Sequence, residues 1–508
     1  MNYKFANKYC FVIVAVFATL FAIFPLTDTD IWWHLACARE WVTTWTPVRE
    51  PVVNVHCFFQ HAVAFVYNIG GAKLLVAFKA VLWGGVFALF LWRCACSCRI
   101  ALKFVVACLL LFTFRYQFEL RPVVFSLLFL GVYWNVLPRL FNGISFNIPV
   151  ALAMLALQWI WCKCQGLYVL GPIFAITVMG VKLLETRKQQ NEICLKIVVF
   201  HLLFVLLLFA MPFMHREGLN LFLYPLGLLD RLLGLSPSAS IFAKEIAENR
   251  SPLTLLIAKE NVVQSALMVL LCVIGFFSGI VQTIRCIKAN KCLGSQSQYA
   301  VELSNVWLLI TAILAFVAER NFVLFLPFFF AVLFSSSFFE QIFRRQTTGL
   351  YSSIITNRYL PVVFIAFLLG LWGKSLLSYD SAIAFQRVPV AAAEWMKNNP
   401  HSGRLFNDDR AGGYLAFMNP QDSTFIDGRF ILKTAYFFER YLAYSKYPKQ
   451  FLQDADLLNI DRVVLPLRYY ARWDKLIAVL NAAKDWNVVY RDLYFVVIDR
   501  AEPPDGLH

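Results

Sequence analysis

The sequence predicts an α-helical polytopic membrane protein of about eleven transmembrane helices, with a soluble α/β domain at its C-terminus. Three observations predict it. The chain is 60% hydrophobic and 15% charged, whereas an ordinary globular domain carries about 25% charged residues. Apolar runs of about 20 residues, enough to cross roughly 30 Å of hydrocarbon, recur along most of its length. Past residue 379 the composition changes: the 129 residues from Asp380 to His508 hold 16 Lys/Arg, 16 Asp/Glu and no cysteine.

The spans read at 11–26, 72–92, 104–120, 122–138, 148–164, 166–181, 197–213, 260–284, 300–318, 321–339 and 359–377, with boundaries good to about four residues. The short loops on the N-terminal side carry Lys4 and Lys8, then Arg93, Arg99 and Lys103, then Arg139. Further on they carry Lys182, Arg187, Lys188 and Lys196, then Arg285, Lys288 and Lys291, then Arg344, Arg345 and Arg358. Nearly all of the net charge of +15 is thus on one side, which is the positive-inside pattern. It sets the N-terminus in the cytoplasm and makes the basic excess a matter of topology, with no nucleic acid implied. An odd number of spans puts the tail outside.

The expected organisation is a transmembrane domain over 1–379 and an extracytoplasmic α/β domain over 380–508. The former includes a first outer loop at 27–70 and a long outer loop at 212–259. The first span lacks a small-residue cleavage site and runs straight into Asp28, so it reads as an uncleaved anchor. The thirteen cysteines are scattered. Cys94, Cys96 and Cys98 are one residue apart with no histidine near, which is poor zinc geometry and reads as a juxtamembrane loop, with acylation as an alternative. Cys37 and Cys57 share the first outer loop, where a disulfide is permitted.

That loop opens with "TDTDIWWHLACAREW", and the question is why paired carboxylates stand where a span ends. As a helix over 30–45, Ile31, Leu35, Ala38, Val42 and Trp45 form one apolar stripe. Asp30, His34, Cys37 and Trp41 form the next, so Asp30 and His34 lie one turn apart on one face. Thr29 or Asp28 caps the start, and Trp32, Trp33, Trp41 and Trp45 suit an aromatic belt with the helix flat in the interface. One capping residue would suffice for that. Two acids and a histidine at membrane depth are costly and mark function.

These residues carry a resemblance. An acidic pair in the first outer loop followed by an amphipathic helix is similar to the GT-C class of membrane glycosyltransferases, which use polyprenyl-phosphate-linked sugars. "DTDIWWHLACAREWV" resembles a family of bacterial multispan proteins reading D-x-D-I-W-W-H-L there. Echoes extend over nearly the whole chain in "LRPVVFSLL", "ENRSPL", "ERNFVLFLPFF", "GRLFNDDRAGGYL" and "FIDGRF". The last two also resemble, loosely, the soluble domain of oligosaccharyltransferase catalytic subunits, without their aromatic-rich acceptor motif.

The resemblance implies an inverting glycosyltransferase in a bacterial cytoplasmic membrane. It would move a sugar from a polyprenyl-phosphate donor to a glycan, lipid or protein acceptor on the outer face. Such a reaction needs a base for the acceptor hydroxyl, which Asp28 or Asp30 supplies. It needs positive charge or a metal for the departing phosphate, and the same pair is a candidate for holding Mg²⁺ or Mn²⁺ through oxygen ligands. His34 is a candidate second ligand or phosphate partner. Arg216, Lys244 and Arg250 in the long outer loop and Arg320 at the tenth span are candidate phosphate contacts, since arginine matches phosphate bidentately. Each of these has a plainer reading as a snorkelling interfacial residue. Arg121 before Pro122 is a weaker candidate, and Lys79 inside the second span has no assigned role.

In the tail, "GRLFND", "STFIDGR", "DRVVLP" and "WNVVYRDLYFVVIDR" read as strands, the last a hairpin. "VAAAEWMKNN" and "WDKLIAVLNAAKDW" read as helices, and "NNPHSG" and "DDRAGG" as turns. Asp408, Asp409, Asp427 and Arg429 are candidates for acceptor contact or for covering the site, with turn formation as the plainer reading. Two rival functions remain open from sequence. A transporter or flippase for a lipid-linked glycan predicts charges deep in several spans and paired broken halves, which are not evident. A non-catalytic assembly subunit with the same fold has no need of both aspartates. The charge asymmetry makes a direct prediction: reporter fusions at residue 95 and in the tail read cytoplasm and outside respectively, and a cytoplasmic tail would separate it from the proposed site.

Overall fold

Proline and glycine divide the apolar runs into helices. Pro122 opens one at its first turn, where a missing N–H is harmless. Asn147 caps another by accepting from the Val150 N–H at 3.2 Å. The computed structural model describes residues 3–41, 44–92, 94, 100–141, 147–188, 195–288, 296–335, 359–468 and 471–501. Val42, Arg93, Cys96, Cys98, Arg99, Lys291, Arg344, Arg345 and Arg358, which figure in the reading above, lie outside the described residues.

Each of the eleven expected stretches carries a helix. They are α1 (Tyr3–Phe21), α3 (Cys57–Leu91), α4 (Ile100–Thr113), α5 (Pro122–Leu140), α6 (Ile148–Cys162), α7 (Leu170–Lys188) and α8 (Leu195–Ala210), followed after the long loop by α12 (Val262–Lys288), α13 (Gln296–Val317), α14 (Phe322–Ser335) and α15 (Tyr359–Leu377). Among the described residues five segments are long and apolar enough to cross a membrane: Cys57–Leu91, Pro122–Leu140, Gly166–Leu184, Leu195–Met214 and Val262–Arg285. The protein is a helical membrane protein. α14 is buried from Phe322 to Phe334, so it runs through the centre of the bundle. Leu202, Leu203 and Leu206 of α8 face outward, as lipid-contacting positions do.

The loops at one end of the bundle are folded. α2 (Asp30–Arg39) follows α1 directly. α3 is broken at Gly70–Gly71, where Gly71 takes a φ of 60° that glycine tolerates. The break separates residues 57–69 from the apolar segment that follows, close to the expected end of the first outer loop. The long loop holds α9 (Gly218–Leu233), α10 (Ser240–Glu245) and α11 (Pro252–Ile257).

The tail is a small α/β unit. It contains α16 (Val390–Asn398), β1 (Arg404–Asn407), α17 (Asp409–Met418), α18 (Ala435–Lys446), α19 (Pro448–Leu458), β2 (Ile460–Pro466), α20 (Asp474–Ala482), β3 (Trp486–Arg491) and β4 (Phe495–Arg500). The sheet order is β1-β2-β4-β3, with β1 and β2 parallel and the other neighbours antiparallel. Two local readings are corrected. "DDRAGG" begins a helix, because Asp408 caps α17 through the Arg410 N–H at 3.0 Å. "STFIDGR" is not a strand; it crosses α17 where Gly412 lies so close that an added Cβ would meet the Ile426 carbonyl at 1.9 Å.

The largest correction concerns α2. It does not lie flat in an interface with its tryptophans in a belt. Ile31 to Cys37 are all buried, because α17 covers the side that the bundle leaves open. Trp32 is fully buried, with the Tyr414 ring edge-on at 4.8 Å and Phe417 at 5.5 Å. α2 also ends at Arg39 rather than running to Trp45, as Glu40 is extended. The chain then follows the tail: Trp45 donates from its backbone N–H to the Thr424 carbonyl and from its indole to the Leu405 carbonyl at 2.8 Å. Lys433 reaches back to Thr44 and Thr46, its ammonium at 2.6 and 2.7 Å from their hydroxyls.

One core therefore joins Leu26, Ile31, Trp32, Leu35, Phe59 and Val63 to Ala392, Tyr414, Leu415, Phe417 and Val497. The compositional boundary at 379 is not a boundary of packing. The placement of Trp32 makes a prediction. Trp32→Ala should destabilise the detergent-solubilised protein by about 3–5 kcal/mol in thermal unfolding, the range for a buried large aromatic. A belt tryptophan would lose far less, and a change under about 1 kcal/mol would return α2 to the lipid surface.

Candidate active site

The segment joining α1 to α2 is held from beneath. Lys79 of α3 is fully buried and donates to the Phe24 carbonyl at 2.9 Å, with its ammonium over the Phe24 ring. Its stem does not snorkel to a surface; it fixes the chain that leads to the aspartates. Glu119 stands 3.9 Å from the same ammonium and accepts from the Thr27 hydroxyl. On the other side Leu26 pairs with Ile383 of the tail through a parallel bridge. Asp28 and Asp30 are thus positioned by the bundle and the tail together.

The two aspartates meet opposite surroundings. Asp28 Oδ1 accepts from Arg121 Nη2 at 2.9 Å, and Arg121 Nη1 bonds Glu248 Oε2 at 2.7 Å. One guanidinium is therefore shared by two carboxylates, and it comes from the residue that caps α5. Asp30 makes no ion pair among the described residues. Its carboxylate lies against Gly428, where an added Cβ would meet Oδ1 at 1.9 Å, and the Trp33 indole is its neighbour. Burial, and next the charge on Asp28, push the Asp30 carboxyl up to about 7. Asp30 is a carboxylate poised near neutrality, which is what a general base requires.

His34 sits one turn on, as the helical spacing predicts. It packs against the rings of Trp33, His56 and Phe59. Burial, with His56 adding to it, keeps the imidazole well below its ordinary range, so it is neutral and not a cationic phosphate partner. His56 is likewise pushed down, to about 4, by burial. Buried polar atoms here without a hydrogen-bond partner among the described residues include Asp28 Oδ2, Trp33 Nε1, His34 Nδ1, Glu119 Oε2 and Arg121 Nε. Groups left so are costly unless a ligand engages them.

The candidate cations divide into two sets. Arg320 is exposed, donates to Asn249 at 3.1 Å, and acts on Glu248 together with Arg121 and Arg387. Despite the burial that opposes it, this ring of cations holds the Glu248 carboxyl down at about 2. Arg320, Arg121 and Arg387 are the positive side of the site. Arg250 points elsewhere, into a two-pronged pair with Glu260 at 2.9 and 2.5 Å. Arg216 and Lys244 are exposed and make no ion pair among the described residues. The fold does not bring these two to the aspartates.

In the tail, Asp427 and Arg429 do face the site. Arg429 Nε lies 3.0 Å from Asp427 Oδ1, and the guanidinium stacks over Trp33 and Trp41 and donates to Cys37 Sγ at 3.4 Å. Arg429 lowers the Asp427 carboxyl in spite of its burial. No disulfide joins Cys37 and Cys57. Asp408 does not reach the site. It is fully buried inside the tail, capping α17 and accepting from the Trp473 indole at 2.6 Å, and burial raises it to about 6. Asp409 is bound to Tyr441 and Arg472 in the same interior. Gly413 of α17 meets the start of α2 directly, since an added Cβ would lie 3.1 Å from the Trp33 nitrogen.

For Mg²⁺ or Mn²⁺ the donor set is thin. No three His, Cys, Asp or Glu side chains converge among the described residues, and Arg121 occupies one oxygen of Asp28 and opposes a cation there. Sequence reasoning missed Glu248, two residues before the flagged Arg250, and gave Glu119 and Arg387 no role. The signal in "FELRP" and "AENR" was an acid beside an arginine at the edge of apolar runs. No family model matches the chain, and no curated protein matches it.

Asp30 makes a prediction about stability. Its carboxyl holds a proton more tightly folded than unfolded, with about 7 against 3.8. Between those values the folded state binds more protons, so this group makes stability fall as pH rises through the window, and the loss is complete above it. Asp30→Asn removes that penalty. The stability of the variant relative to wild type should grow from about pH 4 to about pH 7 and then level off, read by thermal unfolding across pH. A difference independent of pH would leave Asp30 with an ordinary pKa.

Proposed function

We propose that the protein is an integral-membrane glycosyltransferase of the GT-C type. It transfers a sugar from a polyprenyl-phosphate donor to an acceptor on the outer face of a bacterial cytoplasmic membrane. The single observation that carries this reading is the division of the acidic pair: Asp28 is bound to the Arg121 guanidinium, and Asp30 is left as a raised carboxylate with no ion pair among the described residues. The reading rests also on the resemblance of "DTDIWWHL". The eleven spans read from the sequence and their basic loops support a cytoplasmic N-terminus and an outer tail, on the face where the aspartates would then lie.

The chemistry follows from the placements. Asp30 accepts the proton of the acceptor hydroxyl as its oxygen attacks the anomeric carbon. The bond from that carbon to the phosphate oxygen breaks, and the polyprenyl phosphate leaves with one more negative charge. Arg121 and Arg320 face that charge at the mouth of the site, beside the buried α2. Asp28 fixes Arg121 and is a positioning residue. Asp427 holds Arg429 over Trp33 and Trp41, and so seals the tail side of the site. No step is routed through a metal.

The test is an assay of purified protein with a panel of polyprenyl-phosphate sugars, with and without chelator. Asp30→Asn keeps shape and should bind donor while losing on the order of 10²–10⁴-fold in rate, as general-base removal does. Full activity in both Asp30→Asn and Asp28→Asn would end the assignment of this pair. Chelator sensitivity would restore a metal to the site.

A further inference from the structure

Glu248 has no part in the proposed chemistry, yet it is bonded to the guanidinium that would face the leaving phosphate. Its carboxylate is bonded to Arg121 at 2.7 Å and lies in the field of Arg320 and Arg387. It comes from a single turn of 3-10 helix, Ala247–Asn249, between α10 and α11. That turn is tethered through neighbouring groups rather than through Glu248. Asn249 donates to the Phe242 carbonyl at 3.0 Å and accepts from Arg320, and the Arg250 carbonyl accepts from the Glu319 N–H at 3.0 Å. The Glu248 side chain itself is 43% exposed and Arg121 31%, so the pair stands at an open mouth. A part-exposed carboxylate bonded to Arg121, with Arg320 on the next residue of its turn, is shaped like the ligand those two cations would otherwise take. Arg121 also keeps Nε without an acceptor, a donor that a single carboxylate oxygen on Nη1 does not use. A phosphoryl group presents three oxygens and can serve such a fork.

We propose that Glu248 is a built-in stand-in for a phosphoryl ligand: it fills the site of Arg121 and Arg320 until the phosphate of a prenyl-type lipid displaces it. This deepens the reading above and rests on it for the identity of the lipid. The displacement is an exchange of one anion for another on the same guanidinium, with no covalent step. It keeps Arg121 paired in both states, which avoids leaving a buried charge uncompensated. It also lowers apparent affinity, because ligand binds only the fraction of molecules in which Glu248 has swung out. For an enzyme whose product is itself a lipid phosphate, the returning carboxylate assists release.

The experiment measures binding of farnesyl phosphate to the full-length protein in detergent, with no sugar present. Inorganic phosphate and farnesol serve as separate probes. Glu248→Gln keeps size and one hydrogen bond while removing the competing charge, and it should bind farnesyl phosphate on the order of tenfold more tightly. Glu260→Gln removes an acidic charge from the neighbouring pair with Arg250 and should leave binding unchanged. Arg320→Gln should weaken binding in both the wild-type and Glu248→Gln backgrounds. A gain with inorganic phosphate as well shows that the phosphoryl group alone is recognised; a gain confined to farnesyl phosphate adds the lipid chain. Unchanged or weaker binding in Glu248→Gln, with thermal unfolding like wild type, overturns the proposal, as does an equal gain in Glu260→Gln. Thermal unfolding that shows a misfolded Glu248→Gln is answered by Glu248→Ala, for which the same tightening is required. Binding is read without transfer, so failure of the glycosyltransferase reading leaves this result standing, and failure here leaves transfer to be judged on Asp30.

Discussion

Arg121 is shared between Asp28 and Glu248, and the rest of the site is arranged around that shared charge. A guanidinium removed from bulk water is costly unless it is matched by partners. One carboxylate neutralises it and a second adds net negative charge. Asp30, two residues from Asp28, therefore meets a site whose positive charge is already committed. Its raised affinity for a proton follows from burial and from Asp28 together. Fixing one acid of the pair is what makes the other behave as a base near neutral pH.

The tail supplies the other half of that environment. Without α17 the outward side of α2 would face water or lipid headgroups, and Asp30 would be solvated. Two tail glycines and one at the foot of "FIDG" allow the approach: Gly412 against the Ile426 carbonyl, Gly413 against the start of α2, and Gly428 against Asp30 itself. Each leaves room where a methyl group would collide or crowd. Lys433 and Trp45 lock the returning chain, and burial pushes the Lys433 ammonium down to about 8 while it serves four oxygens of the first loop.

Much of this architecture was legible in the sequence. Apolar runs located the helices of the bundle, because span length and hydrophobicity are properties of each segment alone. The acidic pair and its one-turn spacing to His34 were likewise local. What local pattern could not show is what covers a helix. α2 reads as amphipathic and interfacial until a segment nearly 400 residues later packs on it, so its four tryptophans were assigned to a belt. "DDRAGG" reads as a turn by composition, and becomes a helix because its glycines are needed for contact and Asp408 caps it. The arginines were ranked by position on a loop, whereas their partners decide their roles. Arg250 is consumed by Glu260, and Arg121, ranked lower, is the one that touches Asp28.

The site also answers why paired carboxylates stand at the end of a span. A base deep in hydrocarbon would be protonated and unreachable, and one on an open loop would have an ordinary pKa and no hold on a lipid-borne substrate. The junction of a bundle with a folded tail offers an intermediate position. There the dielectric is low enough to raise Asp30, and cations enter from helix ends such as the cap of α5, where a charged residue costs least. The second acid is required because the arginine that would receive a phosphate must be held in place by something that the phosphate does not displace. Asp28, nearly sealed from solvent, fits that role, and Glu248, standing at the mouth, fits the role of the partner that yields. The two carboxylates on Arg121 thus differ in exposure rather than in chemistry, and it is on that difference that the proposed exchange of Glu248 rests.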